Sequence, residues 1–507
     1  MYEKLKNLSI HPGGREMAGW EQILLQEKIP YELSDNTDFN IKIFPKEVKR
    51  SDMLDYVANG GVGIIEKPGD IEELNLWKSG EALVSTLNFP EININHVAAP
   101  TIVDIYDTNG IGHVNVHEQR LIKYDMKIGY HPIIVKIQHG KGYLLVVSCE
   151  LSKLLGYYGD TLREYSSYTK VTERVSAIDK RNISAALVYL LKLAHQLAGI
   201  PYIGLWYYPE KEKTLFMFRV DVDGAEGHNT EKMSDISKNY GVEATFYVNK
   251  DLCINDLDFL QAIDSFHTIG NHGDIHNVFD SFQENETNIL SCQEWLLNNL
   301  GVDTNLYVSP RGLWNESLAL VLEKLGFKSS SDFGFHIDGF PFHPVVNGKR
   351  LNLLQIPVHP HNVGRAQMYA KESGNVEEID PKNITNYYKK IIDEKEERNE
   401  PIMLFGHPYD LGYEDDVLNG IFSHMKEKDI KPISISKFTD WWLKRSETDI
   451  EVHVEKSSNT YAVETSDKDV SIYIQGEGDK VILPDNKIID IHGSQIIASA
   501  TPISQFI

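Results

Sequence analysis

Two short stretches bring together residue types that could do chemistry. "LFMFRVDVDG" (215–224) carries Asp221 and Asp223 two apart in a strand-like run. Successive side chains of a strand alternate between faces, so Phe216, Phe218, Val220 and Val222 would share a buried face and the two carboxylates the other. Like charges side by side are costly unless a cation or a shared proton lies between them. Further on, "HTIGNHGDIHN" (267–277) holds His272 and His276 four apart. On one helical turn both would face the same way and could grip one ion, although such a pair alone also suits a capped or solvated helix start. With a carboxylate, two imidazoles make a ligand set for Zn²⁺, or for another divalent ion such as Co²⁺ or Ni²⁺, with one position left open.

These residues need elements to position them. Between 212 and 445 strand candidates recur ("LFMFRVDVD", "EATFYVN", "TIGNHG", "TNLYVSP", "LLQIPV", "PIMLFGH", "KPISIS"), with helical stretches such as "ESLALVLEKLGF" and "ITNYYKKIIDEKEERN" between several of them. Repeated strand-helix units favour a parallel sheet or barrel, whose chemistry sits where strands end, as Gly224 ends this one. Residues 1–211 alternate helix and strand: "WEQILLQEKIPYEL" runs from helix to strand, "DMLDYVANGGVGIIEK" turns at a Gly pair, and "HPIIVKIQHGKGYLLVVSCEL" reads as a hairpin. "NISAALVYLLKLAHQLAGIPY" is an apolar helix stopped at Gly199 and Pro201. Residues 446–507 are short alternating strands, expected to form a small β-sheet module. Three domains are therefore expected, at 1–211, 212–445 and 446–507, as the 507-residue length allows.

Composition narrows the partners. With 50 basic against 74 acidic residues and a net charge of −24, nucleic acid and anionic membranes are poor partners, since both need clustered Lys and Arg. No run approaches the ~18 apolar residues of a membrane span. No secretory leader is visible at the start, and Cys149, Cys253 and Cys292 have no paired spacing, so a reduced, cytoplasmic setting is expected.

The order "FRVDVDG", "FYVN", "GNHGDIHN", "VSPRGLWNESLALVLEKLGFKSSSDFG", "LLQIPVHP", "PIMLFGHPYD" resembles the polysaccharide deacetylases, the NodB-homology carbohydrate esterases, over roughly 214–445. The resemblance implies a distorted (β/α) barrel with the site at its carboxy-terminal strand ends. It also implies Asp221 as general base, Asp223, His272 and His276 as metal ligands, and His407 as general acid with Asp332 orienting it. Pro310, Arg311 and Trp314 are the implied substrate-binding or orienting residues. The family's Arg two residues before the Pro of its third motif is replaced here by Val308, and Arg311 or Arg219 could supply that charge.

The amide hydrolysis that the resemblance implies is coherent with the chemistry of these residues. A divalent ion can lower a water's pKa to ~7 and polarise the carbonyl. Asp221 would take a proton from the water, and His407, an imidazole titrating near ~6.5, would protonate the departing amine. An N-acetylated sugar or glycan precursor is the expected carbohydrate substrate. A small cyclic amide, or glycan binding without catalysis, is the alternative. The amino-terminal region resembles the class I glutamine-amidotransferase-like flavodoxin fold ("WEQILLQEKIPYEL", "LDYVANGGVGIIE"). Its Cys149, in "VVSCELSK", is off the G-x-C-x-G turn such catalysis needs, so a non-catalytic role is expected, shaping a cleft or a homo-oligomer contact. Phe340, Phe342 and His359 read as core or loop anchors, Trp441 and Trp442 as packing, and His113 with His117 as a surface or hairpin pair.

Overall fold

The computed structural model describes residues 2–12, 17–116, 129–156, 163–166, 172–224, 228–263, 265–334, 336–364, 381–412, 415–455 and 457–497. They fall into two compact units. The first holds the described residues within 1–157, 177–211 and 445–502, the second those within 158–176 and 212–444.

In the first unit, β1 (Leu8–Ile10), β2 (Tyr31–Leu33), β3 (Ile41–Phe44), β4 (Val62–Glu66) and β5 (Gly142–Val147) lie parallel in the order β2-β1-β3-β4-β5. Strands Gly129–His139, Ile111–Val116, Lys78–Phe89 and Ile94–Tyr106 extend the sheet antiparallel to nine strands. Apart from the edge strand β2, these parallel strands are almost wholly buried because helices cover both faces. On one face Trp20, Ile23 and Leu24 of α1 (Ala18–Glu27) pack with Leu187, Leu190 and Leu191 of the helix Lys180–Ala198. On the other, Met53, Leu54 and Val57 of the helix Arg50–Ala58 pack on Phe44, Ile65 and Val146. The Lys180–Ala198 helix is capped by the Asp179 side chain and ends at Gly199, as its sequence requires.

The carboxy-terminal strands Ile450–Glu455, Thr460–Thr465, Ile472–Ile482 and Ile488–Ile497 form where alternation places them. Their sheet is not self-contained: Glu3–Lys4 pairs with the first and Tyr202–Leu205 with the third, making six strands. His113 lies on a strand with its ring edge against Tyr130, and His117 lies outside the described residues. All three cysteines are free and buried. Among the described residues no helix is long and apolar enough to cross a membrane.

The second unit is a curled parallel sheet. Its strands are β6 (Leu215–Val222), β7 (Thr245–Val248), β8 (Thr268–Asn271), β9 (Leu306–Tyr307), β10 (Ser329–Ser330), β11 (Leu354–Gln355) and β12 (Ile402–Gly406), in the order β11-β10-β9-β8-β7-β6-β12, with Lys431–Pro432 beside β6 as the eighth strand. Residues 354–363 reach both edges, since β11 pairs with β10 while Asn362 bridges to Phe405 of β12. The sheet is thereby bent into an incomplete barrel. Strand β6 lies between β7 and β12 and is buried along its length. Phe216, Phe218, Val220 and Val222 pack outward on Met233, Tyr388, Ile392, Leu418 and Phe422 of the surrounding helices. The alternation that buries them leaves Arg219 and Asp221 on the barrel side.

Two strand expectations shift. "KPISIS" pairs only at Lys431–Pro432 and becomes the helix Ile435–Glu447, because Ser434 accepts the Lys437 amide as a helix cap. The polar pair Ser329–Ser330, missed for want of apolar alternation, is a buried strand.

Candidate active site

Most residues of the site sit at or just past the carboxy-terminal end of a parallel strand. Asp221 is the penultimate residue of β6 and Asp223 follows that strand, His272 follows β8, Val308 and Ser309 follow β9, Ser331 and Asp332 follow β10, and His407 follows β12.

Three ligand atoms, one each from Asp223, His272 and His276, lie within 4.8 Å of one another. The Nε2 atoms of His272 and His276 are 3.0 and 3.1 Å from the same oxygen, Oδ1 of Asp223. That oxygen and His276 Nε2 are buried without a hydrogen-bond partner. A buried orphaned acceptor met by two imidazole nitrogens is what a divalent cation's ligands look like, so the donor set fits the ion the sequence suggests. His272 is oriented for it: Nδ1 lies 2.7 Å from the Val308 carbonyl, which can only accept, so Nδ1 carries the proton and Nε2 keeps its lone pair. Burial would raise the Asp223 carboxyl, but the two imidazoles opposing it hold it well below the usual carboxylate range. Burial likewise lowers the His272 imidazole, and Asp223 more than offsets this.

The two histidines do not share a helical turn, contrary to the i,i+4 reading. After β8 the chain enters an irregular turn in which Gly273 takes a left-handed φ of +80°. Side chains tie this turn down. Asn271 Oδ1 accepts the Gly273 amide (2.8 Å), Asn249 Nδ2 donates to the carbonyls of His272 and Gly273 (3.1 Å each), and Asn288 Oδ1 accepts the amides of Asp274 and Ile275 (3.1 and 2.6 Å). These asparagines were not singled out from the sequence. Only the "NHGD" glycine signals that the backbone must leave regular structure there.

Asp221 is held by Arg219. Nε and Nη2 donate to Oδ1 and Oδ2, each at 2.6 Å, while Nη1 donates to the Ser331 carbonyl and hydroxyl at 2.7 and 3.1 Å. The guanidinium rests on the Phe405 ring, 4.9 Å from its centroid. The pair is desolvated, with side-chain exposures of 0% and 5%. Burial lowers the Arg219 guanidinium, but Asp221 raises it by more. The positive charge beside Asp221 therefore comes from its own strand, two residues upstream, and not from position 308 or 311. Arg311 is exposed, with φ +59° in a turn at Pro310–Gly312. Gly312, at φ +64°, leaves room for Phe333, whose ring a Cβ there would meet at 2.3 Å.

Asp332 does not contact His407 in the way expected of an orienting acid. It accepts the Ser309 amide at 2.9 Å and the Ser330 hydroxyl, pinning the turn after β9 to β10. Its burial pushes its carboxyl up despite those bonds and the nearby Arg219. His407 Nδ1 instead meets Asn362 Nδ2 at 3.1 Å, its ring stacks on Tyr409 at 4.6 Å, and its Nε2 lies 3.6 Å from Asp223 Oδ2. Trp314 is half-buried beside this turn, with Pro310 buried. Phe342 and His359 are buried, Phe340 stacks on Trp442, and His359 bonds Asp338 and Tyr387, which matches anchoring roles.

Residues 211–330 match the family model described as Polysaccharide deacetylase, so this stretch carries a polysaccharide deacetylase domain. The match contains Asp221, Asp223, His272 and His276 and ends before Asp332 and His407. No curated protein matches the chain. Solved structures similar to it include a Mycobacterium smegmatis protein assigned to the polysaccharide deacetylases, at 16% identity over 48% of this chain and 94% of that one, with a TM-score of 0.42. A Pseudomonas aeruginosa PAO1 protein of the same assignment has 11% identity over 46% and 92%, with a TM-score of 0.39. A CE4-family pseudoenzyme from Bacillus anthracis has 14% identity over 46% and 67%, with a TM-score of 0.32.

Proposed function

We infer that the second unit is a metal-dependent hydrolase that removes N-acetyl groups from an amino sugar or glycan precursor. The observation that carries this reading is the convergence, at one strand end, of the Asp223, His272 and His276 ligand atoms beside an Arg-clamped Asp221. A divalent ion held there, by Asp223 and the two Nε2 atoms, supplies Lewis acidity toward water and an amide carbonyl. Asp221 keeps a lone pair on each oxygen beyond those engaged by Arg219 and takes the proton of the attacking water. Arg219 fixes that carboxylate in place. His407, protonated, gives the Nε2 proton to the departing amine, so the C–N bond breaks as an N–H bond forms and acetate leaves with a free amino sugar. The domain match over 211–330 supports the same chemistry.

Acetate release from N-acetylglucosamine oligomers, with Zn²⁺, Co²⁺ or Ni²⁺ supplied, tests the reading. Wild type should release acetate and Asp221→Asn should lose on the order of 10²-fold or more. Equal rates in the two proteins would show that Asp221 is not the base.

A further inference from the structure

We propose that Asn362 is the positioning residue for His407, gripping the imidazole at Nδ1 through a neutral amide so that Nε2 is the nitrogen presented to the site. This rests on His407 as the proton donor, as inferred above. Asn362 is clamped on its backbone: it bridges to Phe405 of β12, its carbonyl accepts the Tyr388 hydroxyl at 2.7 Å, and the next amide, Val363 N, donates to Phe405 O at 3.0 Å. Since His407 begins two residues after Phe405, the same strand end fixes both partners. The Asn362 side chain is buried, with Nδ2 at 3.1 Å from His407 Nδ1 and Oδ1 buried without a hydrogen-bond partner.

An amide N–H can only donate, so in this orientation Nδ1 accepts and the neutral ring carries its proton on Nε2. A half-turn of the amide exchanges its two ends at almost no change in shape. Oδ1 then accepts from Nδ1–H of the imidazolium and remains bonded after Nε2 has given its proton to the amine. The orphaned Oδ1 is the unused half of this two-state grip. The carboxylate expected at Asp332 could only accept, and it is engaged elsewhere by Ser309 and Ser330. Stacking on Tyr409 restrains the plane of the imidazole, and Asn362 restrains its rotation within that plane.

The test compares wild type, Asn362→Ala and Asn362→Asp, each ¹⁵N-labelled at histidine, with His407 signals identified by their loss in His407→Gln. In wild type the neutral ring of His407 should show one protonated nitrogen, Nε2, and one bare nitrogen, Nδ1, as for a ring held in one tautomer. Asn362→Ala should average the two signals through tautomer exchange, and Asn362→Asp, which can only accept, should again hold the ring at Nδ1 but with the proton there. With N-acetylglucosamine oligomers, Asn362→Ala should lose on the order of 10²-fold in kcat with KM little changed, and Asn362→Asp should recover most of it. An alanine variant with wild-type ring signals and kcat overturns the proposal. Wild type that binds metal but releases no acetate overturns the hydrolase reading instead, and the ring signals still decide the role of Asn362.

Discussion

Asp221 and Arg219 share one face of β6, and the strand period made that face legible before any coordinates. The sequence leaves the partner of Asp221 open between Arg311 and Arg219; the strand period puts Arg219 on the face of Asp221, while the turn at Pro310–Gly312 leaves Arg311 exposed. The same limit explains Asp332 and Asn362. An acid in "SSSDFG" is a reasonable orienting group by type, but the short β10 spends it on Ser309 and Ser330, while Asn362 comes from a segment with no catalytic signature. The pairing has a stability consequence. Arg219→Ala strands a buried carboxylate and should cost about 3–5 kcal/mol in chemical denaturation. Arg219→Lys cannot reproduce the two parallel bonds and should fall between wild type and the alanine variant, with reduced turnover. A wild-type denaturation curve for Arg219→Ala would contradict the clamp.

At the scale of elements, periodicity located β6, β7, β8, β9, β11 and β12 but not the polar pair Ser329–Ser330, and it extended Lys431–Pro432 into what is a helix. The turn that unites His272 and His276 was misread as helical because four-residue spacing is the commoner helical signature. The physical cue was Gly273, which the backbone needs at φ +80° and whose added Cβ would come within 2.9 Å of Asn288 Nδ2. Gly273→Ala should therefore cost about 1–2 kcal/mol locally. It should displace His276 and weaken zinc retention against a chelator while leaving the far-ultraviolet circular dichroism unchanged. Retention equal to wild type would show that the turn does not set the ligand geometry.

Across the whole molecule, the two units differ in what the sequence disclosed. The parallel sheet of the first unit followed from its helix-strand alternation, whereas the six-stranded sheet joining residues 3–4, 202–205 and the carboxy-terminal strands could not, since long-range pairing leaves no local signal. This unit also carries a pH dependence of its own. Glu66, at the end of β4, accepts the Ser152 amide at 2.9 Å and the Ser152 hydroxyl at 2.5 Å, and burial pushes its carboxyl from near 4.5 up to about 7. The folded chain thus keeps a proton that the unfolded chain has lost between those values. Its contribution is complete below about 4.5 and is lost as pH rises to about 7, a fall of at most roughly 3 kcal/mol. Glu66→Gln should flatten that fall when stability is compared at pH 5 and pH 8, and an unchanged slope would contradict the assignment. The claim on which the functional account depends is the metal centre, and metal content per chain tests it most directly. Wild type and His272→Ala would be incubated with Zn²⁺, desalted and measured by elemental mass spectrometry. Close to one zinc per wild-type chain is expected, with most of it lost in the variant. Wild type that stays empty, or a variant that binds as much as wild type, would contradict it.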